Sequence, residues 1–249
     1  MKRIILIILC LCCILTANAQ VDSLAVPVVT KSLITAKAEL GMTRKQYNLG
    51  YAHHSFCVAL PMAVTGLGLI PLDKHISKGV QKGIPNFEMM LDDYMQYAPW
   101  AAHAVMGVCG VKGVSKNRYQ VLVADAFAAV MMAATVNGLK YSINRTRPNG
   151  SNASFPSGHT AMAFTGATLL AHEYGHRSIW IPVAGYTLAA ATGVMRVLNN
   201  RHYLSDVVVG AAVGILSAEL AYWATDAIFK DFKSVKSRRD RVNYVVNNY

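Results

Sequence analysis

His159, His202 and Asp206 stand among basic residues in three short stretches, and these residue types in this order could cleave a phosphate ester. The first stretch is Lys140-Tyr-Ser-Ile-Asn-Arg-Thr-Arg147-Pro148, the second Phe155-Pro156-Ser157-Gly158-His159, and the third Arg196-Val-Leu-Asn-Asn-Arg-His202-Tyr-Leu-Ser-Asp206. A transferring phosphoryl group spreads negative charge over its equatorial oxygens, and stabilising that charge is the main task of its site. Arg147 and Arg196 offer bidentate forks to those oxygens, and Lys140 adds a point charge. Ser157 precedes the apolar run from Thr160, which places it at a helix N-terminus, where free N–H groups and the positive dipole end favour an anion. Gly158 lets the backbone approach closely.

The spacing of His202 and Asp206 puts them on one face of a helix opening near Ser205 or slightly before. Asp206 then holds one ring nitrogen of His202 as N–H and leaves the other as a lone-pair nucleophile. His159 protonates the leaving oxygen and afterwards activates water. The cations stand where a metal would otherwise act, so the expectation is chemistry without metal or other cofactor.

Together the stretches resemble the type 2 phosphatidic acid phosphatase superfamily, whose signature is K-x6-RP, PSGH and SR-x5-H-x3-D. Lys140, Arg147 and Pro148 match the first block, Pro156 to His159 the second, and Arg196, His202 and Asp206 the third. One departure is Met195, which stands where the family has Ser before the Arg. The resemblance implies an all-α bundle and metal-free phosphatase chemistry through a phosphohistidine. It also implies phosphate contacts from Lys140, Arg147, Ser157, Gly158 and Arg196. Lipid phosphates are the implied substrates, with the 4′-phosphate of lipid A first and undecaprenyl diphosphate or phosphatidylglycerol phosphate behind it. A haloperoxidase using vanadate in the same cradle is chemically possible but suits a lipid-embedded site poorly.

The elements that must hold these residues are apolar. The 249 residues are 53% hydrophobic and only 15% charged, with a net charge of +11; the mean hydropathy is +0.30. No basic stripe interleaved with aromatics points to nucleic acid, and anionic lipid headgroups are the natural partner of such a chain. Apolar segments at 56–72, 97–111, 119–139, 160–171, 179–195 and 205–229 are rich in small residues, which suits close helix packing in a bilayer. The expectation is an all-α, polytopic membrane bundle of about five to six apolar helices. Lys2-Arg3, the apolar run Ile4 to Leu15 and Ala17-Asn18-Ala19 read as a secretory signal. The division expected is a signal peptide over 1–19, an external arm over 20–55, a membrane phosphatase domain over 56–229 and a basic tail over 230–249. Cys57 and Cys109 are the cysteines beyond the signal, too few for a disulfide framework or a Cys-based zinc site.

Helix count decides which side the site faces. If 97–111 lies on the membrane or only partly in it, the loop 73–118 and the basic tail share the inner side. Both catalytic loops then face outward, at the periplasmic face of a bacterial inner membrane. A rival motif, His172-Glu173-Tyr174-Gly175-His176, fits the HExxH pattern of zinc proteases. Gly175 weakens the helix that pattern needs. A lipid-phosphate binder without catalysis is the other alternative. Asp125 and Glu219, inside apolar segments, are candidates for helix-packing hydrogen bonds or for function.

Overall fold

Small side chains set how closely apolar helices approach, and in this chain they close a helical bundle. The computed structural model describes the backbone of residues 44–85, 87–115 and 117–248, and the side chains of those between 55 and 229. It contains α1 (Arg44–Gly68), α2 (Asp73–Gly83), α3 (Leu91–Met95), α4 (Ala98–Val108), α5 (Arg118–Ile143), α6 (Gly158–Tyr174), α7 (Trp180–Leu198) and α8 (Leu204–Asn248), with no strand among the described residues. The expected signal at 1–19 lies outside the described residues. α1 already begins at Arg44, within the expected arm, and α8 runs on through the basic tail.

α8 is the hub: it packs on α1, α5 and α6, and α6 packs in turn on α7. Two glycines permit the tightest of these contacts. A Cβ on Gly210 would lie 2.6 Å from the carbonyl oxygen of Ser157, and one on Gly214 would collide with that of Ala161. Alanines fill the rest of the seam, with Ala59, Ala163, Ala167, Ala189 and Ala211 in one buried cluster. Large apolar side chains face outward instead: Val105, Val108, Leu122, Val130, Trp180 and Trp223 are exposed. That inversion of the soluble pattern suits a bilayer, where packing between helices relies on close backbone approach. α5, α7 and Leu204–Phe229 of α8 are each long and apolar enough to cross a membrane. A bent pair over Ser55–Gly68 and Ile70–Gly83 makes up to four such spans.

The chain alternates between the two ends of this bundle. Ser55 of α1 meets Glu219 of α8, while Gly66 lies against Val209, so α1 and α8 are antiparallel. Gln120 at the start of α5 bonds Asp226, which makes α5 antiparallel to α8 as well. α4 runs beside α6, with Trp100 donating to the Met162 carbonyl at 2.9 Å and Gly107 beside the Tyr174 hydroxyl. One end therefore gathers the three cationic stretches, and the other carries Lys112, Arg118, Arg177 and the tail.

This arrangement corrects the expected path of residues 73–118. α4 joins the two ends rather than lying on one, and α2 and α3 sit at the same end as the three cationic stretches. The physical reason is charge: Asp73 of α2 pairs with Arg145, and Asp92 of α3 pairs with Arg196. Buried carboxylates must be paired, and the partners they find belong to the cationic stretches.

Candidate active site

Asp206 is the node of the candidate site and is fully buried. It sits at the third position of α8, and its Oδ2 reaches back to accept from the Tyr203 backbone N–H at 2.9 Å. That is the carboxylate half of a capping box, so the same side chain starts the helix and enters the site. Oδ2 also accepts from the Ser154 hydroxyl in a short contact, and Oδ1 accepts from Arg145 Nη1 at 3.0 Å. The backbone oxygen of Asp206 accepts from the Ser157 N–H at 2.9 Å, which ties the Pro-Ser-Gly-His turn to α8.

His202 lies in the connection between α7 and α8, two residues before the helix, and not on its face as the spacing suggested. The chain reaches it by folding back, with the N–H groups of Arg201 and His202 both donating to the Arg196 carbonyl, and Asn200 adopts a left-handed conformation, φ 57°. Its Nδ1 stands 3.7 Å from Asp206 Oδ2, beyond hydrogen-bond length. Such catalytic contacts commonly tighten only when substrate is bound. Burial pushes the His202 imidazole down to about pKa 4, Arg147 and Arg196 push the same way, and Asp206 opposes them. The ring is therefore neutral at ordinary pH and keeps a lone pair, the state a nucleophile needs.

Around this pair the cations converge. Arg196 is buried near the end of α7. Arg147 lies in the loop after α5 with its Nε donating to the Asn152 carbonyl at 3.1 Å. Burial, then Arg196 and Arg201, lower the proton affinity of Arg147. Cations that repel one another in this way mark a place where an anion would relieve the strain. Lys140 Nζ donates to the Ala153 carbonyl at 2.6 Å, and its Cε lies 3.9 Å from where a Gly158 Cβ would stand. Ser157 caps α6, its Oγ accepting from the Thr160 N–H. The Ser157 N–H is taken by Asp206, so the N–H groups left open at this helix start are those of Gly158 and His159. The structure thus brings together all eight residues expected at the site.

It also adds residues that the motifs passed over. Arg145 spans two buried carboxylates, donating from Nη1 to Asp206 and from Nη2 to Asp73 Oδ2 at 2.8 Å. It also donates to Ser205 Oγ and lies over the Tyr203 ring, 4.4 Å from its centre. Arg145 stood in plain view between Lys140 and Arg147, and two arginines so close in a short loop were the available signal. α3 supplies Asp92, bonded to Arg196 Nη1 at 2.7 Å, and Asp93, whose Oδ1 meets His159 Nε2 at 2.8 Å and Arg196 Nη1 at 3.2 Å. A cleft of about 410 Å³ opens here, lined among others by Met89, Met90, Asp93, Arg196, Asn199 and Arg201.

The HExxH residues form no comparable site. α6 ends at Tyr174, so His176 lies past the helix. Glu173 Oε1 accepts from the Ser115 N–H at 2.7 Å, and its Oε2 from the Tyr222 hydroxyl at 3.3 Å. His172 stacks on Tyr222 with ring centres 3.8 Å apart. Glu219 accepts from Ser55 and faces His172, while Asp125 meets His103 at 3.2 Å. These buried polar groups pin helices together at the end away from the phosphate stretches.

Residues 122–230 match the PAP2 superfamily. The lipid A 1-phosphatase of Porphyromonas gingivalis is 47% identical over 174 residues, 70% of this chain and 39% of that protein. The bacitracin transport permease protein BcrC of Bacillus licheniformis is 29% identical over 120 residues, 44% of this chain and 57% of that protein. The chain thus spans less than two thirds of either relative's length. Among solved structures, Aquifex aeolicus LpxE aligns with a TM-score of 0.44 at 23% identity, over 58% of this chain and 92% of that one. The first transmembrane PAP2 type phosphatidylglycerolphosphate phosphatase from Bacillus subtilis aligns with a TM-score of 0.40 at 17% identity, over 72% and 96%. The segment that matches the PAP2 superfamily, residues 122–230, holds all three cationic stretches.

Proposed function

We propose that this protein is a membrane phosphatase that removes phosphate from a lipid through a phosphohistidine on His202, without a divalent metal. The observation that carries the reading is the buried His202 beside Asp206, with Arg147 and Arg196 acting on it and Lys140 in the same group of charges. The cations and the open N–H groups of Gly158 and His159 hold the phosphate oxygens. His202 attacks phosphorus in line, His159 protonates the leaving alkoxide, and His159 then draws a proton from the water that frees the phosphate. Lipid A is the favoured substrate, and the likeness to the Porphyromonas gingivalis lipid A 1-phosphatase favours its 1-phosphate over the 4′-phosphate. Undecaprenyl diphosphate and phosphatidylglycerol phosphate are the runner-up substrates.

The site is proposed to face the periplasm from the inner membrane. Support comes from Lys112, Arg118, Arg177 and the tail from Lys230, which gather at the opposite end and by the positive-inside tendency mark the cytoplasm. Because the chain alternates between ends an even number of times from α1 to α8, the start of α1 shares the side of the tail. A leader cleaved outside would reverse both. Cysteine labelling of intact spheroplasts at positions 150 and 236 decides: the proposed orientation labels 150 alone, and labelling of 236 alone overturns it.

The chemical test is rapid-quench labelling with a phosphorus-32 aryl phosphate. His159→Ala forms an acid-labile, base-stable adduct that hydrolyses slowly, and His202→Ala forms none. An adduct that persists in His202→Ala, or that maps to Ser157, rejects the roles assigned here. A non-catalytic lipid-phosphate binder would bind phosphate without any adduct or release.

A further inference from the structure

α3 brings two carboxylates to a site whose chemistry calls for cations. Asp92 is accounted for by burial and pairing: it accepts from Arg196 Nη1 at 2.7 Å and from Asn199 Nδ2 at 3.0 Å, and so fixes the guanidinium. Asp93 is different. Its side chain is 50% exposed, and its Oδ1 meets both His159 Nε2 and Arg196 Nη1. A half-exposed carboxylate next to a phosphate cradle repels the incoming dianion, so it weakens substrate binding unless it contributes elsewhere. Asp92 already holds Arg196. What Asp93 adds is His159.

We propose that Asp93 is a positioning residue for His159: its carboxylate accepts the Nε2–H, fixes the ring, and steadies the positive charge while Nδ1 carries the proton destined for the leaving oxygen. The inference rests on the phosphatase reading above. The charged groups facing His159 are Arg196 from α7 and Asp92 and Asp93 from α3, with Lys140 of α5 beside the neighbouring Gly158. Burial and then Arg196 hold the His159 imidazole below its ordinary proton affinity, and the Asp93 carboxylate at hydrogen-bond distance partly opposes them.

With Nε2 held as N–H, one tautomer serves both half-reactions. In the first, the N–P bond to His202 forms, the P–O bond to the alkoxide breaks, and the Nδ1 proton of His159 goes to that oxygen to give the free alcohol. His159 is then neutral, with its Nδ1 lone pair exposed and Nε2–H still on Asp93. In the second, water oxygen bonds to phosphorus, one water proton goes to Nδ1, and the P–N bond breaks. His202 leaves neutral, inorganic phosphate departs, and His159 is again an imidazolium. Asp93 plays toward the acid the part that Asp206 plays toward the nucleophile, from a short helix far away in sequence.

The test uses the full-length protein in detergent micelles, with phosphatidic acid as an alkoxide leaving group and p-nitrophenyl phosphate as one that needs no proton. Asp93→Asn keeps the shape and removes the charge. It should lower kcat on phosphatidic acid roughly 10- to 100-fold, and lower phosphoenzyme formation from the aryl ester roughly tenfold less than that. The basic limb of kcat against pH should fall by about one unit, and Asp93→Glu should recover most of both effects. A merely structural α3 predicts equal losses on both substrates with an unmoved basic limb, and that pattern overturns the proposal. An Asp93→Asn protein that matches the wild type on both substrates also overturns it, while leaving the phosphatase reading in place. A wild-type protein that releases phosphate from neither substrate overturns that reading and this inference with it.

Discussion

Replacing Arg145 should cost more stability than replacing any of the phosphate-facing cations. Its guanidinium is the shared partner of Asp73 and Asp206, both fully buried, and its side chain is itself only 19% exposed. Removing one partner of a buried ion pair costs about 3–5 kcal/mol, because a charge is left without compensation. Here two carboxylates are stranded, but each retains other donors: Ser154 and the Tyr203 N–H for Asp206, Ser205 for Asp73. The two corrections oppose each other, and about 3–5 kcal/mol remains the estimate for Arg145→Gln. At the entropy of unfolding of a chain this size, that is a fall in Tm of roughly 6–20 °C in micelles. Arg145→Lys should recover less than half, since a single ammonium reaches one carboxylate where the planar fork reaches two. The decisive measurement is the double variant Arg145→Gln with Asp73→Asn. Neutralising Asp73 removes one stranded charge, so the double variant should melt above Arg145→Gln alone, with a coupling of about 2 kcal/mol. It should stay catalytically impaired, because Asp206 still lacks its cation. Additive effects of the two substitutions would refute the bridge, as would an Arg145→Gln protein that melts with the wild type.

Acidification should destabilise the protein through His202, whose folded-state pKa of about 4 lies below its ordinary value. The unfolded chain takes up this proton near pH 6.5 and the folded one does not, so stability is full above that pH and falls toward 4. By pH 4.5 the loss is roughly 2–3 kcal/mol relative to His202→Gln, readable from melting curves of the two proteins across pH. Gly210→Ala should push the Ser157 turn off α8, since its Cβ would stand 2.6 Å from that carbonyl oxygen. The expected cost is about 1–3 kcal/mol and most of the activity, checked by thermal melting and phosphate release. Phosphate release should survive excess EDTA and be inhibited by vanadate; loss of activity that zinc or magnesium restores would replace the cation cradle with a metal.

The sequence carried the site better than it carried the site's supports. Lys140, Arg147, Ser157, Gly158, His159, Arg196, His202 and Asp206 were legible because each belongs to a short local pattern, and the apolar segments announced six of the eight α-helices described. Asp73, Asp92 and Asp93 were not legible. Their partners lie on segments far away in sequence, and no periodicity signals a pairing that only the closed bundle creates. The same carboxylates explain why the path of 73–118 was misjudged: a hydropathy reading weighs α4 by its length, whereas its placement follows from the acidic residues just before it. The Ser157 N–H was expected to be open to an anion, but the backbone of Asp206 takes it, a contact that spacing alone does not reveal.

α8 is made later than every helix it joins, and this order has a consequence for biogenesis. Asp206 reaches Arg145, Ser154 and the Ser157 backbone only once α8 is inserted, and Glu219 and Asp226 then engage Ser55 and Gln120. Before that moment the cations of the cradle already exist in the nascent chain, but the Asp206 carboxylate beside His202 does not. On the proposed reading, the site is therefore incomplete until synthesis has passed residue 226. α8 thus acts as a latch, and a chain stalled before Leu204 would leave Arg145, Ser154 and Ser55 without the partners that α8 supplies, polar groups by which it can be told apart.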